Sequence, residues 1–269
     1  MTLLPGAQEL LALHARELPQ RDDLCGAFCG ALALRAARIE SYGGEAIDQD
    51  AVALVAGSVV SAVADPGNLP LGERGRRDYR VSLPFIDEAA VSGTTAGGLA
   101  RAVEQLSGAE LAAIPYAGPW NTSALAALFD LAEGLEHPIT FVANLATGHL
   151  WGARATAGQL LGYLFDGELT GPPSDWVVGH FVCLIGRIRG PRGSLYAVAD
   201  TYPSLGSGGI HLQPQERLAV ALQRPGMAPG GLIVIASVKD AATVRSHAGT
   251  IGLIEGAWDN GTVTQEMLR

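Results

Sequence analysis

Three cysteines and six histidines carry most of the nucleophilic and basic chemistry open to this sequence. Cys25 follows a polar stretch, Pro19-Gln20-Arg21-Asp22-Asp23, and opens a run of small and apolar residues that reads as a buried helix. A cysteine attacks as its thiolate, which is favoured by a helix N-terminus, a nearby imidazole and partial exposure. The helix macrodipole alone is worth about 0.3–1 kcal/mol to such an anion. Gly26 leaves room for a substrate backbone. Cys29 lies about one helical turn deeper, and Cys183 alternates within an apolar strand. Both read as small apolar core residues.

The base is expected from a distant part of the chain. His180 stands at the start of the apolar run His180-Phe181-Val182-Cys183-Leu184-Ile185, and Asp200 ends the next β-branched run. Neighbouring antiparallel strands of that length would bring Asp200 beside His180, where a carboxylate fixes the tautomer and stabilises the imidazolium. The competing role for Asp200 is to start the turn into Thr201-Tyr202-Pro203. Gln20 is the candidate second donor to an oxyanion, with the Cys25 N–H as the first. His149 is the rival base, but it is followed by Trp and Gly and not by a long strand.

These residues need elements to hold them. Helical patterns are expected over 3–19, over 25–37 with Asp23 as cap and Gly43-Gly44 as the stop, and over 48–64. Two more run from Thr94 or Thr95 to 106 and from Asn121 to 131. Residues 65–92 read as a loop. Its Arg74, Arg76, Arg77 and Arg80 are interleaved with Glu73 and Asp78, as on a solvated loop. Strands are expected over 111–115, 139–144, 180–188, 194–199 and 231–238. Residues 145–179, rich in Gly and Pro, read as an insertion and a candidate lid. Helices before strands predict an α+β fold with two lobes meeting at a cleft. Residues 1–238 would form one domain and 239–269 a C-terminal extension.

In this order the pieces resemble the papain-like cysteine peptidases of the C39-like branch, which includes bacteriocin-processing peptidases. In that family a glutamine precedes a Cys-Gly helix start, Gly-Thr-Ser/Thr opens a later helix, and a His-Phe-Val strand leads to a Val-x-Asp turn. Gln20, Cys25-Gly26, Gly93-Thr94-Thr95, His180-Phe181-Val182 and Val198-Ala199-Asp200 stand at those places. The resemblance implies a papain-like fold with an N-terminal helical lobe and a C-terminal antiparallel sheet. It also implies hydrolysis of a peptide or amide through a thioester. Capture of that thioester by an amine, as in an acyltransferase or peptide cyclase, is the close alternative. A peptide-binding module without catalysis is the second.

Composition narrows the classes further. The net charge is −9, with 18 Lys and Arg against 27 Asp and Glu, so nonspecific nucleic-acid binding is not expected. The odd cysteine count argues against a disulfide framework. The N-terminus lacks a basic, then apolar, leader pattern, and no uncharged apolar run reaches membrane-span length. A cytoplasmic location follows. Zinc-ligand spacing, a P-loop and a Gly-x-Ser-x-Gly elbow are all missing, so no metal or cofactor is expected.

Overall fold

A computed structural model describes residues 1–265. In chain order the elements are β1 (Thr2–Leu3), α1 (Ala7–Glu17), α2 (Cys25–Ala36), β2 (Ser41–Tyr42), β3 (Glu45–Ala46), α3 (Gln49–Ala56), β4 (Val60–Ser61) and β5 (Phe85–Ile86). There follow α4 (Ala96–Leu106), β6 (Leu111–Ala117), α5 (Thr122–Glu133), β7 (Ile139–Ala146), α6 (Ala157–Asp166), β8 (Gly179–Arg189) and β9 (Ser194–Ala199). The chain then forms β10 (Ile210–Pro214), α7 (Gln215–Gln223), β11 (Gly231–Ser237), α8 (Ala241–Thr250) and β12 (Ile254–Glu255). The fold class is α+β, as expected. The main sheet is antiparallel, in the order β10-β9-β8-β7-β11-β6-β12, with β1 added beside β8. Among the described residues no helix is long and apolar enough to cross a membrane.

Helices cover both faces of the sheet, so its central strands are buried along nearly their whole length and are mostly apolar. On one face Phe181 lies against Gly26 of α2, and Cys183 meets Cys29. On the other, Phe129 of α5 packs edge-on against Phe141 and Tyr196, with ring centroids 5.0 and 4.6 Å apart. A bulge between Leu184 and Gly186 breaks the alternation of β8. Beyond it Arg187 turns toward α5, where it pairs with Glu133 at 2.8 Å and with Asp130. Its guanidinium lies over the Phe129 ring.

Several boundaries differ from the sequence expectation. Helix α2 ends at Ala36, and Gly43-Gly44 form the turn of the β2–β3 hairpin instead of stopping the helix. Helix α3 ends at Ala56, where Gly57 adopts a left-handed conformation, and the apolar residues after it form β4. Asp23 does not cap α2. Its own φ is +64°, and its carboxylate accepts the Ser61 N–H at 2.8 Å. The 65–92 loop is pinned by three of its four arginines: Arg76 donates to Pro19 O, Arg77 to Ser61 O and Ala62 O, and Arg80 pairs with Asp48, while Arg74 is exposed.

The 145–179 segment carries α6, whose Tyr163 and Leu164 form a small apolar cluster with Trp151 and Leu195 against β9. Residues 239–265 supply α8 and β12, the last strand of the sheet. Residues 266–269 of the expected extension lie outside the described residues.

Packing of α4 on α3 makes two adjacent glycines unequal. A Cβ on Gly98 would lie 2.4 Å from Ala56 O, whereas one on Gly97 would make only ordinary contacts, with Ala257 Cβ at 3.4 Å and Arg101 Nη1 at 3.6 Å. Gly98→Ala should lower the unfolding free energy in urea by about 1–3 kcal/mol. Gly97→Ala should leave it unchanged or raise it by up to about 1 kcal/mol through helix propensity.

Candidate functional site

The approach to α2 is held rigidly. The Arg21 N–H donates to Gln49 Oε1 at 2.7 Å, and the Arg21 guanidinium lies 3.1 Å from Asp50. Side chains of Asp48, Thr95, Asn121 and Thr156 cap α3, α4, α5 and α6, but none caps α2. The amides at its first turn are left for an anion. Cys25 sits there, half-buried, in a cleft of about 340 Å³. Gly26 is tightly packed: a Cβ would sit 3.0 Å from Thr94 and 3.2 Å from Phe181, so one of those side chains would have to give by a few tenths of an ångström.

The antiparallel register of β8 and β9 pairs Cys183 with Ala199. The start of β8 therefore meets the end of β9, and His180 Nε2 lies 3.0 Å from Asp200 Oδ1. The Cys25 side chain neighbours the same imidazole and raises its affinity for a proton, and both residues line the cleft. Cys25, His180 and Asp200 thus form one chain of contacts. His149 is not among the residues that line the cleft.

Asp200 is buried and its partners are numerous. Oδ1 accepts from His180 and from the Thr201 N–H at 2.7 Å, and Oδ2 lies 3.2 Å from His211 Nε2. The Asp200 carbonyl lies 2.5 Å from His14 Nε2. Burial works against the charge of Asp200, but His180 and His211 hold the carboxyl well below its usual range. Burial likewise disfavours an imidazolium at His180, yet the Asp200 charge, the hydrogen bond to Asp200 and the neighbouring Cys25 side chain push it up to about 10. Burial pushes the Cys29 thiol well above its ordinary value, which leaves it an inert core group.

Gln20 also lines the cleft. Its Oε1 accepts from Thr201 Oγ1 at 2.5 Å, and its Nε2 donates one bond, to Arg21 O at 3.2 Å. The second Nε2 hydrogen is available to a ligand. Thr201 thereby joins Gln20 to the Asp200 turn.

Sequence reading missed several groups here. Trp176 meets His180 edge-on at 4.8 Å and donates to Asn68 O, so the 145–179 segment and the 65–92 loop bridge over the imidazole. A tryptophan four residues before the histidine was the available signal. His14, His211 and Arg224 left none, because helix and strand positions far apart in sequence bring them together. Among the described residues no group of three or more His, Cys, Asp or Glu side chains is arranged to hold a metal ion.

The sequence matches the model of a family described as "Family of unknown function (DUF6885)" over residues 4–259. No curated protein matches it.

The folded state holds the His180 proton more tightly than the unfolded chain does. The stability this contributes is complete below the ordinary histidine range, near 6.5, and is lost as pH rises through about 10. The difference in urea unfolding free energy between the native protein and His180→Gln should therefore shrink over that interval. A difference that is constant or grows would contradict the ion pair.

Proposed function

The chain belongs to this family of unknown function (DUF6885), and we propose that it is a cysteine-nucleophile hydrolase of papain-like, two-lobed architecture that acts on a peptide or amide. The observation that carries this reading is the chain of contacts from the Cys25 thiol through His180 to buried Asp200, at the uncapped start of α2. In the two-lobed reading, α1 to α4 carry the nucleophile and the sheet carries the base. The resemblance of Gln20, Cys25-Gly26, Gly93-Thr94-Thr95, His180-Phe181-Val182 and Asp200 to the C39-like peptidases points the same way.

Cys25 and His180 exchange a proton to give thiolate and imidazolium. The thiolate attacks the substrate carbonyl carbon, a C–S bond forms, and the oxygen takes the negative charge. The Cys25 N–H and Gln20 Nε2 are the donors to that oxygen. Collapse breaks the C–N bond, and the His180 proton goes to the departing amine, leaving a thioester. His180 then takes a proton from water as it attacks the thioester carbon. The acid leaves and the thiolate returns. Asp200 keeps the imidazole oriented throughout.

The bridge of Trp176 to Asn68 over His180 favours a second reading. A covered thioester reacts with a bound amine in preference to water, which makes the product an amide. Mass analysis of products formed with and without added amines separates the two outcomes.

Iodoacetamide near neutral pH should label Cys25 selectively, and His180→Ala should slow that labelling by about a hundredfold or more. Labelling of Cys25 no faster than of Cys183 would favour a binding module without catalysis.

A further inference from the structure

Among the described residues three arginines are more than nine-tenths buried: Arg21, Arg187 and Arg224. Arg21 is paired with Asp50, and Arg187 with Glu133 and Asp130. Arg224 has no carboxylate partner among the described residues. It is 4 % exposed and lines the cleft that holds Cys25 and His180. It stands at the C-terminus of α7 with φ +50°.

The guanidinium is only half used. Nη1 donates to Asn144 Oδ1 at 2.6 Å and to the carbonyls of Pro229 and Asn260 at 3.1 and 3.5 Å. Nε is buried without an acceptor, and Nη2 makes no hydrogen bond to a described residue. Nε and Nη2 form one edge of the fork, the edge that engages a carboxylate through two parallel bonds. Nη2 lies 2.3 Å from where a Cβ on Gly179 would be, so the fork rests on the backbone just before His180. Burial lowers the affinity of this group for its proton and the Cys25 side chain raises it. A guanidinium nonetheless stays a cation, and a buried cation without a counter-ion is costly unless a ligand supplies one.

A second orphan lies in the same cleft. Asn260 Nδ2 donates to Thr94 O and Thr262 Oγ1, but Asn260 Oδ1 is buried without a donor. The carboxylates that also line the cleft are engaged elsewhere: Asp22 by the Arg76 N–H, Asp23 by the Ser61 N–H and Asp65 by the Gly67 N–H. They do not neutralise Arg224.

We propose that the cleft selects peptides or amides that carry a carboxylate, which docks on the Nε–Nη2 edge of Arg224 while Asn260 Oδ1 accepts an N–H of the same ligand. This deepens the reading of Cys25 as nucleophile and rests on it for the chemistry, though not for the binding. The carboxylate is either an Asp or Glu side chain or a free C-terminus.

Two pairs of alkylating reagents test it. N-bromoacetyl-β-alanine carries a terminal carboxylate, and N-bromoacetyl-glutamic acid α-amide a side-chain carboxylate. Their neutral twins are N-bromoacetyl-β-alaninamide and N-bromoacetyl-glutamine α-amide. In the native protein at least one acidic reagent should label Cys25 about tenfold faster than its twin, and the pair that does so identifies the source of the carboxylate. Arg224→Gln should abolish that advantage when each rate is taken relative to iodoacetamide on the same protein.

Equal acid-to-neutral ratios in the two proteins overturn the proposal. So does a variant that slows acidic and neutral reagents alike, since Arg224 would then serve the thiolate. Should Arg224→Gln not fold, protection of native Cys25 from iodoacetamide by N-acetyl-glutamic acid α-amide, against N-acetyl-glutamine α-amide, makes the same comparison. Equal protection overturns the proposal there too. Slow reaction of native Cys25 with iodoacetamide counts against the nucleophile, whereas the acid-to-neutral ratio still reports on Arg224.

Discussion

A fully buried carboxylate is tolerated only where the rest of the fold supplies its counter-charges and donors, and Asp200 sets that requirement for this chain. Leaving such a charge unpaired costs about 3–5 kcal/mol. Its satisfaction needs His180 from the start of β8, His211 from β10, the Thr201 N–H beyond β9, and His14 from α1 on its carbonyl. Four segments must therefore be in register at once. The strand pairing of β8 with β9 and of β9 with β10 brings three of them together. Helix α1 completes the set from the other side of the chain, which gives an N-terminal helix a role in fixing a turn it does not precede.

The same constraint shapes the cleft. With Asp200 fixed, His180 can present its ring only toward the start of α2. There Gly26 is wedged between Thr94 and Phe181, and a larger residue would have to push one of them aside. The lack of a side-chain cap on α2 is the local counterpart: the first-turn amides, which α3 to α6 spend on Asp, Thr or Asn, lie free beside the half-buried sulfur. Tyr202 stacks near His180, and Trp176 lies edge-on to both rings. The imidazole is thus walled by aromatic groups and open mainly toward Cys25.

Much of this was legible in sequence because the signals were local. The switch from small apolar helix to β-branched strand gave the fold class, and the spacing of His180 and Asp200 anticipated their meeting across two antiparallel strands. The positions of Cys29 and Cys183 within a small-residue helix and an apolar strand mark both as core, and each is buried. What stayed hidden depended on tertiary context. Asp23 looks like a helix cap by position, but its positive φ turns the carboxylate to Ser61. The arginines at 74–80 look like a solvated run, yet Arg76 and Arg77 reach the carbonyls of Pro19 and Ser61. Arg224 is invisible in sequence, since nothing near it in the chain marks it as buried. The 239–265 segment looked peripheral because it follows the last long apolar strand, although its two-residue β12 extends the sheet.

That late segment also reaches the cleft that holds Cys25. Asn260 holds Thr94 O, the Val263 N–H donates to Val91 O, and Thr94 in turn abuts Gly26. During translation the thiol-bearing helix emerges first and its imidazole partner much later, while the residues that latch this wall follow every other group of the site. A growing chain thus carries its sulfur before the groove around it is finished, and that wall is clasped only once residues 260–263 have been made.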